Sequence, residues 1–190
     1  MRFVPSSEFH AMPWRNGLGT TREVARSGAG EAFDWRISIA TVTGSGPFSG
    51  FPGIDRTIAV LQGDGMLLDI DDHSHELLGS SPPLSFAGDA VAYARCIGDE
   101  TTDLNVMTRR GAYRHELTRV STERRLTVHG TPGISTLVLN GPFLVFVNGC
   151  AHKARPLDAV CDIAEGNRVV LEPDGEAVLF RVTVRSVADC

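Results

Sequence analysis

No stretch of this sequence reaches the roughly 18 consecutive apolar residues of a membrane-spanning helix, and its opening Met1-Arg2-Phe3-Val4-Pro5 lacks the apolar core of a secretory leader. The expectation is a soluble, cytoplasmic chain with no membrane partner. Positive charge is also scarce: 18 Lys and Arg against 23 Asp and Glu leave a net charge of -5. That balance does not suit a surface that tracks phosphates, so no nucleic acid is expected as a partner. The four cysteines, Cys96, Cys150, Cys161 and Cys190, form no CxxC pair and no regular framework. This argues against a zinc ribbon or a disulfide scaffold and leaves them as thiols in a reducing compartment. Extended helical periodicity is missing too, because Gly and Pro interrupt the apolar pattern before three turns can form. Long polar tracts are absent, and 190 residues suffice for one well-buried body.

What is present is strand after strand. Apolar residues alternate or cluster briefly in Arg36 to Val42, Thr57 to Leu61, Met66 to Ile70, Val91 to Cys96, Leu104 to Thr108, Arg124 to His129, Thr136 to Leu139, Leu144 to Val147, Arg168 to Leu171 and Ala177 to Val184. Ser6 to His10 reads as a short helical turn at most. Turn signals at intervals near ten residues point to an all-β sandwich or barrel. An internal echo narrows the choice. Ala59 to Gly63 is followed after 25 residues by Gly88, and Val145 to Gly149 after the same interval by Asp174, an offset of 86 between the two sets. A strand, a glycine turn, a hairpin and a second turn feeding a strand make up half of a double-stranded β-helix, the cupin fold, and here the layout occurs twice. The fold expected is therefore a bicupin in one compact body, with an N-terminal half near 1–115 and a C-terminal half near 116–190.

Five phrases in fixed order carry a family resemblance: Pro13-Trp14-Arg15-Asn16-Gly17-Leu18-Gly19-Thr20-Thr21-Arg22-Glu23, Phe33 to Ala40, Gly46-Pro47-Phe48-Ser49-Gly50-Phe51-Pro52-Gly53-Ile54-Asp55-Arg56, Phe86-Ala87-Gly88-Asp89 and Asp103 to Arg110. Together they resemble the HutD/Ves family. The resemblance implies a bicupin without a metal centre, a pocket in the N-terminal cupin, and a link to histidine utilisation, where control of pathway flux has been proposed. Leu18 departs from the glycine expected between Gly17 and Gly19.

The residues themselves say more about the site. His73-Ser74-His75-Glu76 follows Asp71-Asp72 directly after a strand, which reads as a solvated hairpin tip. No later His precedes Asn105 in this half, so no tightly bound metal and no cofactor are expected. His10, His115, His129 and His152 stand alone, with no triad context. Period two places Asp34, Arg36 and Ser38 opposite Trp35, Ile37 and Ile39, and Asp103, Asn105 and Met107 opposite Leu104 and Val106. In a barrel the mixed polar set reads as a pocket wall. Arg36 and Arg56 are natural anchors for a carboxylate, unless Asp34, Asp55, Glu23 or Asp103 neutralises them. Asn16 and Asn105 offer amide groups, and Trp14 and Met107 an apolar wall. Gly17, Gly19, Gly53 and Gly88 read as turn residues needing unusual dihedrals.

The candidate ligand-binding set is thus Trp14, Asn16, Glu23, Arg36, Arg56, Asp103, Asn105 and Met107. The function expected is metal-independent binding of a small carboxylate in a sensing or regulatory role. The alternative is a metal-free enzyme acting on a formylated or formimino glutamate, with Glu23 or Asp103 as general acid or base. Exposed β-ribbons make a homodimer the expected assembly if one forms.

Overall fold

The computed structural model describes residues 1–14, 17–28 and 32–189. Its strands, in chain order, are β1 (Arg2–Val4), β2 (His10–Pro13), β3 (Gly19–Arg26), β4 (Trp35–Pro47), β5 (Ile54–Gly63), β6 (Met66–Ile70), β7 (His73–Leu77), β8 (Leu84–Ala87), β9 (Ala92–Arg109), β10 (Tyr113–Thr122), β11 (Leu126–His129), β12 (Ile134–Asn140), β13 (Phe143–Val147), β14 (Cys150–Ala154), β15 (Ala159–Ile163), β16 (Arg168–Pro173) and β17 (Ala177–Ser186). Two 3-10 turns, Ser6–Glu8 and Val187–Asp189, complete the described structure, which contains no α-helix. The chain forms two compact units, one of His10–Tyr113 and one joining Met1–Phe9 to Arg114–Cys190. The first residues thus depart from the division expected at residue 115: β1 pairs with β15, Phe3 opposite Val160, because its backbone completes that sheet's edge.

In the His10–Tyr113 unit the sheet order is β2-β3-β4-β9-β5-β8, with β6 pairing to β9 and β7 to β6. Strand β9 is its spine. Its second half lies between β4 and β5, with Asn105 opposite Ser38 on one side and Ile58 on the other. Its first half, Ala92 to Cys96, runs beside β6. The register shifts between Thr43 and Ser45 and between Val60 and Gln62 bend the long strands, as bulges do. The expected strands Val91 to Cys96 and Leu104 to Thr108 are therefore one strand of 18 residues. Ile58, Val60, Met66, Leu68, Ala92 and Ala94 form the enclosed apolar cluster. Burying each larger side chain contributes about 1.5–3 kcal/mol.

The second unit packs a sheet of order β1-β15-β12-β17-β10 against one of order β11-β16-β13-β14. Their inner faces supply Leu137, Leu139, Val145, Leu171 and Leu179, all fully buried.

The internal repeat is real, but its offset differs from the expected 86. Hairpin β6–β7 begins at Met66 and β13–β14 at Phe143, 77 positions on, and the next strands begin at His73 and Cys150 with the same spacing. The two hairpins share one alternation of buried and exposed residues. Val145 to Gly149 thus matches β6 and its turn rather than the end of β5. A left-handed residue turns each hairpin, Asp71 at φ 49° and Asn148 at φ 52°. Asp71 and Asp72 form the first tip, so His73 and His75 lie on strand β7 instead of on the tip. The glycines also divide: Gly17 and Gly53 have positive φ, whereas Gly88 is needed because a Cβ there would lie 2.6 Å from the carbonyl oxygen of Phe51.

Candidate functional site

Strands β4, β9 and β5 lie side by side in the first unit, and directly opposed residues of antiparallel strands share a face. Met107 is opposite Arg36 on β4 and Arg56 on β5, which gives the row Arg36–Met107–Arg56. The next row along β9 joins Ser38 to Asn105, and the next joins Ala40 to Asp103. All seven of these residues line one cavity of about 690 Å³. The other face of the same strands carries Trp35, Ile37, Ile39, Leu104 and Val106, each buried in the core. The period-two division read from sequence therefore holds, and Asn105 and Met107 face the interior of the N-terminal unit.

Phe48, Ser49 and Phe51, from the segment after β4, close over these rows together with Trp14. The Trp14 indole donates to Thr21 Oγ1 at 2.8 Å and meets the Phe48 ring edge-on at 6.4 Å. The Arg56 guanidinium lies over Phe86 (4.9 Å), Phe51 (5.4 Å) and Phe48 (5.5 Å), and its Nη1 donates to the Ser49 carbonyl at 3.2 Å. Arg36 lies over Phe33 (5.2 Å) and Phe51 (5.7 Å). Aromatic faces stabilise a desolvated cation while leaving its hydrogen-bonding edge free.

Three of the four carboxylates that were candidates to neutralise these arginines are engaged elsewhere. Asp34 pairs with Arg109 (2.8 Å), Asp55 with Arg110 (2.7 Å) and Glu23 with Arg26 (3.6 Å). Among the described residues neither Arg36 nor Arg56 has a carboxylate within ion-pair distance, and the Nε of each is buried without a partner. The same holds for both oxygens of Asp103 and for Asn105 Oδ1. Burial lowers the Arg56 pKa to about 10, with Asp103 acting against the shift and Arg36 adding to it. Burial also lowers Arg36, opposed by Glu23 and reinforced by Arg26. The Asp103 carboxyl, 1% exposed, is raised to about 7 by burial, with Arg56 pulling it down. Near neutral pH the cavity therefore holds two cations and a carboxyl group poised between its two protonation states.

Of the candidate residues, Trp14, Arg36, Arg56, Asp103, Asn105 and Met107 line this cavity. Glu23 does not; it pairs with Arg26 and acts on Arg36 only through its charge. Asn16 lies outside the described residues. The aromatic lid, Phe48 and Phe51, was missed as a functional feature. Its signal was two aromatics separated by Ser49 and Gly50 and flanked by Pro47 and Pro52, too little to support a buried helix or strand. Among the described residues no group of three or more His, Cys, Asp or Glu is gathered as a metal ion would require. The second unit shows how the repeat has diverged: Leu137 faces Arg181 where Val60 faces Asp103, and Arg181 is already engaged with the His129 carbonyl at 2.9 Å.

The sequence profile of the HutD family matches residues 6–179. The chain belongs to the HutD family. It is 39% identical over 174 residues to Protein Ves of Citrobacter koseri, covering 90% of this chain and 87% of that one. A conserved protein of unknown function from Pseudomonas aeruginosa, PA5104, superposes with a TM-score of 0.86 at 30% identity, covering 97% of this chain and 98% of that one. HutD from Pseudomonas fluorescens SBW25, determined in a formate condition, superposes with a TM-score of 0.77 at 29% identity and the same coverage. A Cupin 2 conserved barrel protein from Leptotrichia buccalis, 10% identical with a TM-score of 0.62 over 88% of this chain and 89% of its own, shares the fold alone. The HutD-family chain is thus an all-β bicupin, and the cavity lies in the first of its two cupin units.

Proposed function

We propose that this chain binds a small carboxylate in the cavity of its first unit, without a metal, and acts as a sensor or regulator in histidine utilisation. One observation carries the reading. Two guanidinium groups are largely withdrawn from water, held by aromatic rings, lack a carboxylate partner among the described residues, and face the same 690 Å³ space. An uncompensated buried charge is costly, and a bound anion offsets that cost through charge-assisted hydrogen bonds to the planar fork. The cavity is large enough for molecules of the size of urocanate or a formylated glutamate. Membership of the HutD family supports the pathway. On this reading the protein works in the cytoplasm, with neither nucleic acid nor membrane as partner.

A metal-free enzyme is the second reading, and Asp103 favours it. A buried carboxyl with a pKa of about 7 is suited to accept or donate a proton near neutral pH. No nucleophile touches it among the residues lining the cavity, which places binding first.

Thermal-shift titration with urocanate, N-formylglutamate and formiminoglutamate, followed by mass spectrometry of each mixture, tests both readings. A ligand at 100 times its Kd stabilises the folded state by about 2.7 kcal/mol. Saturable stabilisation without a new mass supports the sensor, and a converted ligand supports the enzyme. No shift with any small carboxylate at millimolar concentration sinks the proposal.

A further inference from the structure

We propose that the ligand of this cavity is a carboxylate that also carries an N–H donor, in an amide, amidine or imidazole group, and that this donor is received by Asp103 and Asn105. The inference rests on the carboxylate reading above and adds the chemistry of the ligand's other end.

The unmatched polar atoms of the cavity are not all of one kind. Arg36 and Arg56 present unpartnered donors, whereas both Asp103 oxygens and Asn105 Oδ1 are unpartnered acceptors. Asp103 is 1% exposed and Asn105 7%, so bulk water does not serve them freely. The two kinds are also separated along the sheet. The donors flank Met107, while the acceptors stand at the next two inward-facing positions of β9, Asn105 and Asp103. Residues two apart on a strand are about 6.7 Å apart, so the acceptors begin roughly 7 Å from the arginine row. A bare carboxylate engages the arginines and leaves the acceptors unmet, each at a cost of about 1–3 kcal/mol. Its own negative charge near Asp103 adds repulsion. A molecule with its anion at Arg36 and Arg56 and an N–H group farther along β9 satisfies both ends.

An opposite arrangement has Asp103 protonated and donating to the ligand's carboxylate. The two arrangements respond to pH with opposite signs. Around Asp103 the facing side chains are Ala40 from β4 and Val60 from β5, both uncharged, and the charged groups of the cavity are Arg56 and Arg36. Arginine does not titrate between pH 6 and 8, so the sign reports on Asp103. N–H recognition is stronger with the carboxylate, the better acceptor, and so strengthens as pH rises through this range. Donation by Asp103 weakens over the same range.

The test is calorimetry with matched pairs in which only the N–H is replaced: N-acetylglycine against acetoxyacetate, and N-acetyl-β-alanine against 3-acetoxypropanoate. The expected result at pH 8 is at least tenfold tighter binding of the N–H member in one or more pairs. The gap should narrow between pH 8 and pH 6, and also in Asp103→Asn, which keeps the shape but loses the charge. Equal affinity within every pair overturns this inference and leaves the carboxylate reading standing. A gap that persists undiminished in Asp103→Asn, or widens toward pH 6, removes Asp103 from the role. Absence of binding by all four compounds overturns this inference, and the carboxylate reading falls with it where no small carboxylate gives a thermal shift.

Discussion

Asp103→Asn should stabilise the protein at pH 8 and have almost no effect at pH 4. The native carboxyl keeps its proton up to about pH 7, whereas in the unfolded chain it ionises near the ordinary 3.8. Between those values the native state binds more protons than the unfolded state, so this group's contribution to stability is intact below pH 3.8 and falls as pH rises to about 7. Each tenfold difference in proton affinity is worth about 1.4 kcal/mol, so the full difference is about 4 kcal/mol. The attraction of Arg56 already enters that pKa and does not have to be subtracted again. Asn cannot ionise and approximates the protonated acid in shape. Both tryptophans, Trp14 and Trp35, lie in the His10–Tyr113 unit, so emission during urea unfolding reports on the unit that holds Asp103. Unfolding curves for the two proteins at pH 4, 6 and 8 should show a stability difference near zero at pH 4 that grows to about 2–4 kcal/mol at pH 8, with unchanged m values. Other titrating groups are common to both proteins and cancel in the difference. A difference that stays flat across this range, or an Asn variant less stable at pH 8, would refute the claim that an uncompensated buried carboxyl sits here.

The remaining predictions concern the cavity's other walls. Arg36→Lys should weaken carboxylate binding at least tenfold in calorimetry while Tm stays within about 2 °C, because Lys keeps the charge but loses the bidentate fork. Unchanged affinity with a lower Tm assigns Arg36 to the scaffold. Arg56→Met places an apolar chain among Phe48, Phe51 and Phe86. It should leave Tm equal or higher while abolishing binding, the exchange of stability for function seen at ligand sites; a marked fall in Tm counts against it. Trp14→Phe should remove the ligand-induced change in fluorescence, since Trp35 is buried on the opposite face of β4. A persisting signal would locate the ligand elsewhere. Gly19→Ala brings a Cβ within 2.6 Å of the Thr41 carbonyl oxygen and should destabilise by about 1–3 kcal/mol in urea unfolding, because both partners are strand backbone.

The strand content, the twofold repeat and the inward set Arg36, Ser38, Asp103, Asn105 and Met107 were legible in the chain alone, because side-chain alternation is a local property with period two. Hairpin positions were less so. His73 and His75 read as a tip because they follow Asp71-Asp72 directly after a strand, yet Asp71 itself takes the left-handed conformation and places the tip at those two aspartates. Strand β9 could not be read as one strand, since on one side its two halves meet different neighbours, β6 and β5, and the residues between them, Ile97 to Asp103, are mostly polar and include a glycine. The offset of the repeat was misplaced for a related reason: short apolar runs look alike, and only pairing distinguishes β5 from β6. What sequence could not supply was the charge state of the site. Arg36 and Arg56 had four candidate carboxylates, and which were within reach depended on side-chain direction across strands far apart in sequence. The fold turns Asp34 and Asp55 toward Arg109 and Arg110, couples Glu23 to Arg26, and leaves Asp103 buried beside two caged arginines. The pattern along each strand thus determined which residues face inward. Only tertiary structure decided which of their charges are matched, because desolvation and pairing are set by what the rest of the chain places within a few ångströms.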